Sequence, residues 1–468
     1  MAHSSLILAL RRATRPLLMT LSLSAACQMV VAASTTAAGT PQQTRRRPPA
    51  NPTRSDSSSA AAAASAAHVA LLLSDAVRLL QAGRLDEAEP IVRRAVATAP
   101  LHADARNLLG TILDQRNRPR EAEREFREAL RLNPQSVSAR ANLGVLLART
   151  KRHLEAVRLF EEVLRAAPEH PQATLNLGLA LYHLQKFDEA EQSLLRAATL
   201  SPGAVEPIFH LGLIASRRGQ REAAVEYWQR ALALRPNFAD ANFMIGEELR
   251  KHQRYEGAAE FYERALAQDS SKMVYAVRLG GILIMLKQFD EAFEVFRRAA
   301  ERFPDQPEAH YFVGVAARGR GAYDVAEAAL RKSLALQPDN ADTLAQLGFI
   351  AGERGNFAEA EKLLRRAIAT SNGKHFYASY DLGRLLVKAR RYDEALPILQ
   401  RGAAIKPNNP SVHYQQFIAL SRLKRKAEAE RELALFKRLE AERKARPRDE
   451  EDSENPDSPA SAAQPPDN

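Results

Sequence analysis

Residues 103–136 read ADARNLLGTILDQRNRPREAEREFREALRLNPQS, with Gly110, Ala122 and Pro134 at twelve-residue intervals. The glycine recurs every 34 residues, at Gly144, Gly178, Gly212, Gly246, Gly280, Gly314 and Gly348. A one-residue insertion near His375 delays the next to Gly383. The alanine keeps step at Ala156, Ala190, Ala224, Ala258, Ala292, Ala326, Ala360 and Ala395, and its phase extends outward to Ala88 and Ala429. A proline closes most blocks, at Pro100, Pro168, Pro202, Pro236, Pro304, Pro338 and Pro407, with Ser270 and Asn372 as exceptions. A fixed period near 34 is the signature of stacked helical hairpins, so the chain is expected to form an all-α solenoid, not a shell around one globular core.

Each residue type in the pattern has a physical reason. Glycine inside a helix costs about 1 kcal/mol relative to alanine, a cost tolerated where the missing side chain lets a neighbouring helix approach. The glycine of a first helix and the alanine of a second are therefore expected to mark the close approach within one hairpin. Proline cannot continue a helix and punctuates the junction to the next block. Short polar turns such as Gln81-Ala-Gly-Arg84, Arg217-Arg-Gly-Gln220 and Glu353-Arg-Gly-Asn356 join the two helices. The one tryptophan, Trp228, stands where other blocks hold Phe126, Phe160, Tyr262 and Phe296, and the set reads as packing between hairpins.

Leu109-Gly110, Leu113, Ala122, Phe126, Ala129 and Pro134 match most of the W-x2-L-G-x2-Y … A … F … A … P pattern, and on these residues the chain resembles the tetratricopeptide repeat family. The departures are mild: Arg106, Arg140 and Thr174 occupy the tryptophan place, and Val313 replaces one leucine. Eleven units start at residues 69, 103, 137, 171, 205, 239, 273, 307, 341, 376 and 410. The resemblance implies a right-handed superhelix of antiparallel helix pairs that binds protein or peptide partners in its concave groove. It also implies that the groove is lined by the second, fifth, ninth, twelfth and thirteenth places of each first helix.

Two sets of candidate binding residues follow. The twelfth and thirteenth places supply Arg149, His183, Arg217, Arg250, Lys251, Arg318, Lys388 and Arg422, a basic stripe suited to carboxylates because arginine binds them bidentately. Helix-dipole complementation alone also places cations there, and acids such as Asp104, Glu206, Asp240, Glu308 and Asp342 at the second place. The fifth place supplies Phe209, Phe243, Tyr311, Tyr380 and Tyr414, with Leu175 and Val277 between them. An aromatic ladder suits an amphipathic helix or an extended segment, and burial under adjacent repeats is the alternative. Asn142 and Asn176 begin an asparagine ladder that His210, Met244 and Arg278 break.

No catalytic constellation appears: there is no phosphate-cradling loop, no zinc-type Cys/His spacing and no nucleophile motif. Neither enzymatic activity nor a cofactor or metal is expected. The array lacks the interleaved basic and aromatic residues of a base-stacking surface, so nucleic acid is not an expected partner.

The ends read differently. Arg11, Arg12 and Arg15, the apolar stretch Leu17 to Val31 and the small residues Val31-Ala32-Ala33 read as a secretory signal over 1–33. The sole cysteine, Cys27, follows Leu23-Ser-Ala-Ala, which is similar to a lipoprotein acylation box except for Ser24. Cleavage, lipidation at Cys27 and an uncleaved anchor all remain open, and membrane contact is expected only through this leader. Residues 34–68, rich in Ser, Thr, Pro, Ala and Arg, read as a disordered linker, and 444–468 as an acidic, Pro-rich disordered tail. Seven acids against Arg448 give residues 447–468 a charge of −6, which cancels the positive leader and linker and leaves the array with the whole chain's +11. A basic body attracts acidic partners, and the tail is positioned to compete for the stripe around Lys388 and Arg422.

The sequence thus reads as a non-enzymatic, exported adaptor (periplasmic or secreted) for a protein or peptide of acidic character. The alternative is a rigid spacer in an envelope machine that exports polysaccharide or assembles outer-membrane proteins.

Overall fold

The computed structural model describes residues 54–445, with side chains from Ala64. The expected leader, most of the expected linker and the acidic tail from residue 446 lie outside the described residues. Within them, 54–236 and 237–445 form two compact units.

The N-terminal unit holds five hairpins. They are α1 (Arg54–Gln81) with α2 (Leu85–Thr98), α3 (Ala103–Gln115) with α4 (Pro119–Leu132), α5 (Val137–Arg149) with α6 (His153–Ala166), α7 (Pro171–His183) with α8 (Phe187–Leu200), and α9 (Val205–Arg217) with α10 (Arg221–Leu234). The C-terminal unit holds six. They are α11 (Ala239–Lys251) with α12 (Tyr255–Gln268), α13 (Met273–Met285) with α14 (Phe289–Arg302), α15 (Pro307–Gly319) with α16 (Tyr323–Leu336), α17 (Ala341–Glu353) with α18 (Phe357–Thr370), α19 (Phe376–Lys388) with α20 (Tyr392–Ile405), and α21 (Pro410–Arg422) with α22 (Lys426–Ala445). Among the described residues there is no strand, and no helix is long and apolar enough to cross a membrane.

Helix α1 begins at Arg54, inside the segment 34–68 read as disordered linker. The alanine run at 60–64 has the highest helix propensity available, which extends the helix beyond the packed array. Residues 64–68 are exposed, and the first buried side chain is Val69.

The turn inside every hairpin places one residue in the left-handed region, at Gly83, Asn117, Lys151, Gln185, Gly219, Gln253, Lys287, Gly321, Gly355, Arg390 and Lys424. The amide that follows reaches back to the carbonyl five residues earlier, as in Arg118 N to Leu113 O (2.9 Å) and Gln288 N to Leu283 O (2.8 Å). This is the Schellman closure, which satisfies carbonyls that the helix end leaves free. Only four of the eleven positions are glycine, so at the others the hairpin closure outweighs the cost of the left-handed conformation.

The period-34 glycines do mark a close approach: a Cβ on Gly314 or Gly348 would lie 3.2 Å or 3.4 Å from the carbonyl of Ala326 or Ala360, and nearer still is a large side chain of the second helix. A Cβ on Gly110 would lie 2.6 Å from Phe126, one on Gly246 2.8 Å from Tyr262, and one on Gly348 2.7 Å from Leu364. Each glycine therefore seats the large side chain sixteen residues later, in the second helix of its own hairpin. Trp228 sits on Gly212 in this way, and its Nε1 donates to the Phe209 carbonyl at 3.2 Å. The aromatic set thus packs first within its own hairpin, and the expected packing between hairpins is present as well, with Phe296 stacked on Phe312 of the next hairpin at 5.1 Å between ring centres. The alanines Ala122 to Ala395 are fully buried, so a side chain beyond Cβ has no room there.

Successive hairpins are also laced along their turns. Arg118 donates to Glu89 (2.8 Å), Arg152 to Glu123 (2.7 Å) and Arg218 to Glu191 (2.7 Å) in the N-terminal unit. In the C-terminal unit Arg354 donates to Glu327 (2.7 Å) and Arg391 to Glu361 (2.6 Å). One such exposed pair contributes between zero and about 1 kcal/mol, so the ladder matters through repetition and register.

Candidate partner-binding surface

The first helices of the hairpins carry the places that the sequence marked. At the fifth place, Phe209, Phe243, Tyr311 and Tyr380 are all buried, and only Tyr414, 41% exposed, reaches solvent. Phe243 packs against the rings of Tyr262 and Tyr275, and Tyr380 stacks on Phe376. The open aromatic ladder is therefore corrected: four of its five rings are core, and Phe243 shows the reason, lying between Tyr262 of its own hairpin and Tyr275 of the next first helix.

The basic set divides. Arg149 is tied to Asp114 on the preceding first helix. Arg250 pairs with Glu247 at 3.0 Å and Lys251 with Glu248 at 2.9 Å. Arg318 lies half-buried with its guanidinium 4.9 Å from the Phe349 ring centre, and His183 stacks on His153 with centroids 4.7 Å apart. Arg217, Lys388 and Arg422 remain exposed. Lys388 rests over the Phe357 ring, and no hydrogen bond or ion pair forms to Arg217 or Arg422 among the described residues. Of the eight basic residues read from sequence, these three and His183 are exposed without an acid partner, and desolvation holds the His183 imidazole below its usual range, which leaves Arg217, Lys388 and Arg422 as the standing charges.

The sixth place, which the sequence reading followed only through its asparagines, proves to be the most varied. In the N-terminal unit Asn142 donates to Asn107 Oδ1 (3.0 Å) and reaches Thr111 (3.4 Å), and Asn107 donates to Ser138 (3.4 Å). In the C-terminal unit Arg278 occupies that place, and its Nε donates to Glu247 at 2.7 Å. Glu247 also accepts from Tyr262 (2.5 Å) and Arg250. Burial raises the Glu247 carboxyl, but Arg278 and Arg250 outweigh it and hold the group below its usual range. The same burial and the neighbouring Glu247 push the Tyr262 phenol well up.

Asp381 is the sixth-place residue of α19 and is 4% exposed. Its Oδ1 has no hydrogen-bond partner among the described residues, and the nearest cation, Arg384 Nε, is 3.9 Å away. Burial pushes the carboxyl up to about 6, against smaller opposing effects of Arg384 and Arg318. It lines a cavity of about 40 Å³ together with Phe349, Gly352, Glu353, Phe357, Arg384 and Lys388. One hairpin earlier the equivalent residue, Gln346, is also buried with its Oε1 unpaired. Two consecutive sixth places thus present buried acceptors without protein donors. A polar residue just ahead of the Leu-Gly pair was the sequence signal for them.

Among the described residues no group of three or more His, Cys, Asp or Glu side chains converges as a metal site would require. Several histidines have local structural roles: His102, His170 and His375 cap α3, α7 and α19, each accepting from a backbone amide through Nδ1.

Family models described as Tetratricopeptide repeat match residues 152–205, 209–272 and 284–341, then 79–143, 317–379 and 351–419, and 136–167. Between them they run from 79 to 419 with breaks only at 206–208 and 273–283. The chain belongs to the tetratricopeptide repeat family, and its class is that of a protein–protein interaction scaffold. No curated protein matches it. Among solved structures, yeast Tom70 is similar at 15% identity over 77% of this chain and 89% of its own, with a TM-score of 0.36. Pseudomonas aeruginosa PilF is similar at 23% identity over 43% and 92%, with a TM-score of 0.39. YrrB, titled a TPR protein with an unusual peptide-binding site, is similar at 23% identity over 39% and 95%, with a TM-score of 0.33. These likenesses concern the repeat and carry no ligand over to this chain.

Proposed function

We propose that the chain is a non-enzymatic, exported adaptor that holds an acidic segment of a protein partner against its first helices. The observation that carries this is the selective exposure of Arg217 in one unit and of Lys388 and Arg422 in the other, while the neighbouring cations are neutralised by acids or stacked on rings. Export rests on the leader sequence, with Arg11, Arg12 and Arg15 ahead of the apolar stretch to Val31. Crosslinking with mass spectrometry in the native host, on parent and on a Lys388→Glu/Arg422→Glu variant, tests the adaptor reading. A discrete partner lost from the variant supports it, and an unchanged partner set defeats it. Intact-mass analysis from the same cells tests export: loss of about the first 33 residues, or a lipid on Cys27, is expected.

The ion ladder along the turns supports a second reading, the rigid spacer of an envelope assembly. A spacer tolerates the Lys388/Arg422 change but fails when a whole hairpin is deleted.

A further inference from the structure

The cavity beside Asp381 has the makings of a specific subsite within the proposed binding surface. Its floor is a buried carboxyl with one oxygen left without a protein donor. Its walls are Phe349 of α17 and Phe357 of α18, and its rim carries Arg384 and Lys388 on the same helix as Asp381. The opening exists because Gly352 has no side chain: a Cβ there would meet only Ala360 at 3.7 Å and Leu385 at 3.8 Å, ordinary contact distances. A volume of about 40 Å³ is a few times what one water needs, and so is enough for a single carboxylate-sized group.

The charges around Asp381 select the ligand. Arg384 and Lys388 face it from α19, Arg318 from α15 and Glu353 from α17, while α18 contributes Phe357, Ala360 and Leu364. His375, at the start of α19, is engaged at the other end of the helix with Asp342 at 3.1 Å, and Tyr380 beside Asp381 is buried with its phenol raised. Arg384 donates to Glu353 at 2.8 Å, which balances that pair, and the further positive charge of Lys388 and Arg318 disfavours an ammonium or guanidinium ligand and favours an anion. An anion entering beside Asp381 is repelled if that group is ionised. If the group is neutral, its hydroxyl supplies the donor that an incoming oxygen needs.

We propose that this cavity is a proton-linked subsite for a carboxylate of the acidic partner, with Asp381 in its acid form donating to one carboxylate oxygen and Arg384 to the other. Above the titration of Asp381, binding takes up one proton from solvent, placed on that carboxyl; below it the proton is already in place, and in neither case is a covalent bond broken. The raised titration of Asp381, near 6, sets where the linkage operates: above it, each pH unit reduces the binding-competent fraction roughly tenfold. The partner's own carboxylates, with an ordinary value near 4, stay ionised through this range. The inference rests on the adaptor reading above and sharpens it from acidic partner to proton-coupled acidic partner.

The test uses the full chain and a fluorescein-labelled octa-aspartate peptide, followed by anisotropy at about pH 5.5 and about pH 7.5 with a fixed salt concentration. The parent is expected to bind at least tenfold more tightly at the lower pH, with proton uptake visible as buffer-dependent heats in calorimetry. Asp381→Asn, which keeps a neutral donor, should bind at both pH values about as tightly as the parent does at the lower one. Gly352→Leu should fill the cavity and weaken binding at the lower pH while leaving the fold intact by circular dichroism. Binding without pH dependence, or a pH dependence that survives in Asp381→Asn, overturns the subsite and leaves the adaptor reading standing. Absence of peptide binding by the parent at both pH values overturns both.

Discussion

Asn142 and Arg278 occupy the same place in their repeats, just ahead of the Leu-Gly pair, and do opposite things with it. In the N-terminal unit, Asn142 joins Asn107 and Thr111 in an uncharged chain of hydrogen bonds. In the C-terminal unit, Arg278 inserts a full charge, which is matched by Glu247 and shared with Tyr262 and Arg250. The helices around the two sites are alike, with the same glycine seat and the same left-handed turn. A repeat backbone thus leaves the sixth place free to vary, neutral at Asn142 and ionic at Arg278. Neutral amides lose little when one member is removed, whereas buried charges lose much, because the orphaned ion keeps its desolvation cost.

The contrast breaks most sharply at the ionic site. Arg278→Ala should destabilise the chain by about 1.5–3 kcal/mol, the range for a hydrogen bond to a charged group, because Glu247 loses Arg278 but keeps Arg250 and Tyr262. Asn142→Ala should cost about 1 kcal/mol. Chemical denaturation monitored by circular dichroism reads both, and equal losses would end the distinction between the two sites. The glycine seats should show no such contrast. Gly280→Leu, against Phe296, and Gly144→Leu, against Phe160, should each cost roughly 1–3 kcal/mol or more in melting experiments. A seat in one unit that tolerates leucine would show that the hairpins are not equivalent after all.

Asp381 sharpens the comparison through pH. Its folded value, about 6, lies above the ordinary 3.8, so the folded chain holds this proton more tightly than the unfolded one. The group's contribution to stability is therefore fullest below about pH 4 and falls as pH rises towards 6. Asp381→Asn should match the parent near pH 4 and exceed it near pH 7.5 by on the order of 1–3 kcal/mol. A variant less stable than the parent at the higher pH would place a hydrogen-bonded, ionised Asp381 in the fold instead. The smallest effects belong to the turns, where Lys151→Gly and Lys287→Gly should each raise stability by a few tenths to about 1 kcal/mol by relieving a left-handed lysine. Thermal melts of the two variants should rise together, since the turn is common to both units.

The positions legible in the sequence were those where backbone geometry leaves one solution. The glycines had to be glycine because Phe126, Tyr262 or Leu364 fills the space of a Cβ. The left-handed turn could be read at Gly83, Gly219, Gly321 and Gly355, but not at Lys151, Gln185 or Arg390, whose side chains give no sign of the conformation imposed on them. For the candidate surface, the sequence located the right helix faces but not their exposure. Phe209 and Tyr414 share a place in their repeats, yet one is 1% exposed and the other 41%.

By itself, then, the sequence determined the repeat, its phase and its all-α class, because a 34-residue period with glycine, alanine and proline in register is set by local chain geometry and recurs without reference to distant residues. Only the tertiary structure decided which cations stay free and which are neutralised, because the acids that pair with Arg149 and Arg278 come from neighbouring repeats some 31–35 residues away. It also decided the state of Asp381, since nothing in a lone aspartate predicts the packing that removes water from one of its oxygens and raises its proton affinity.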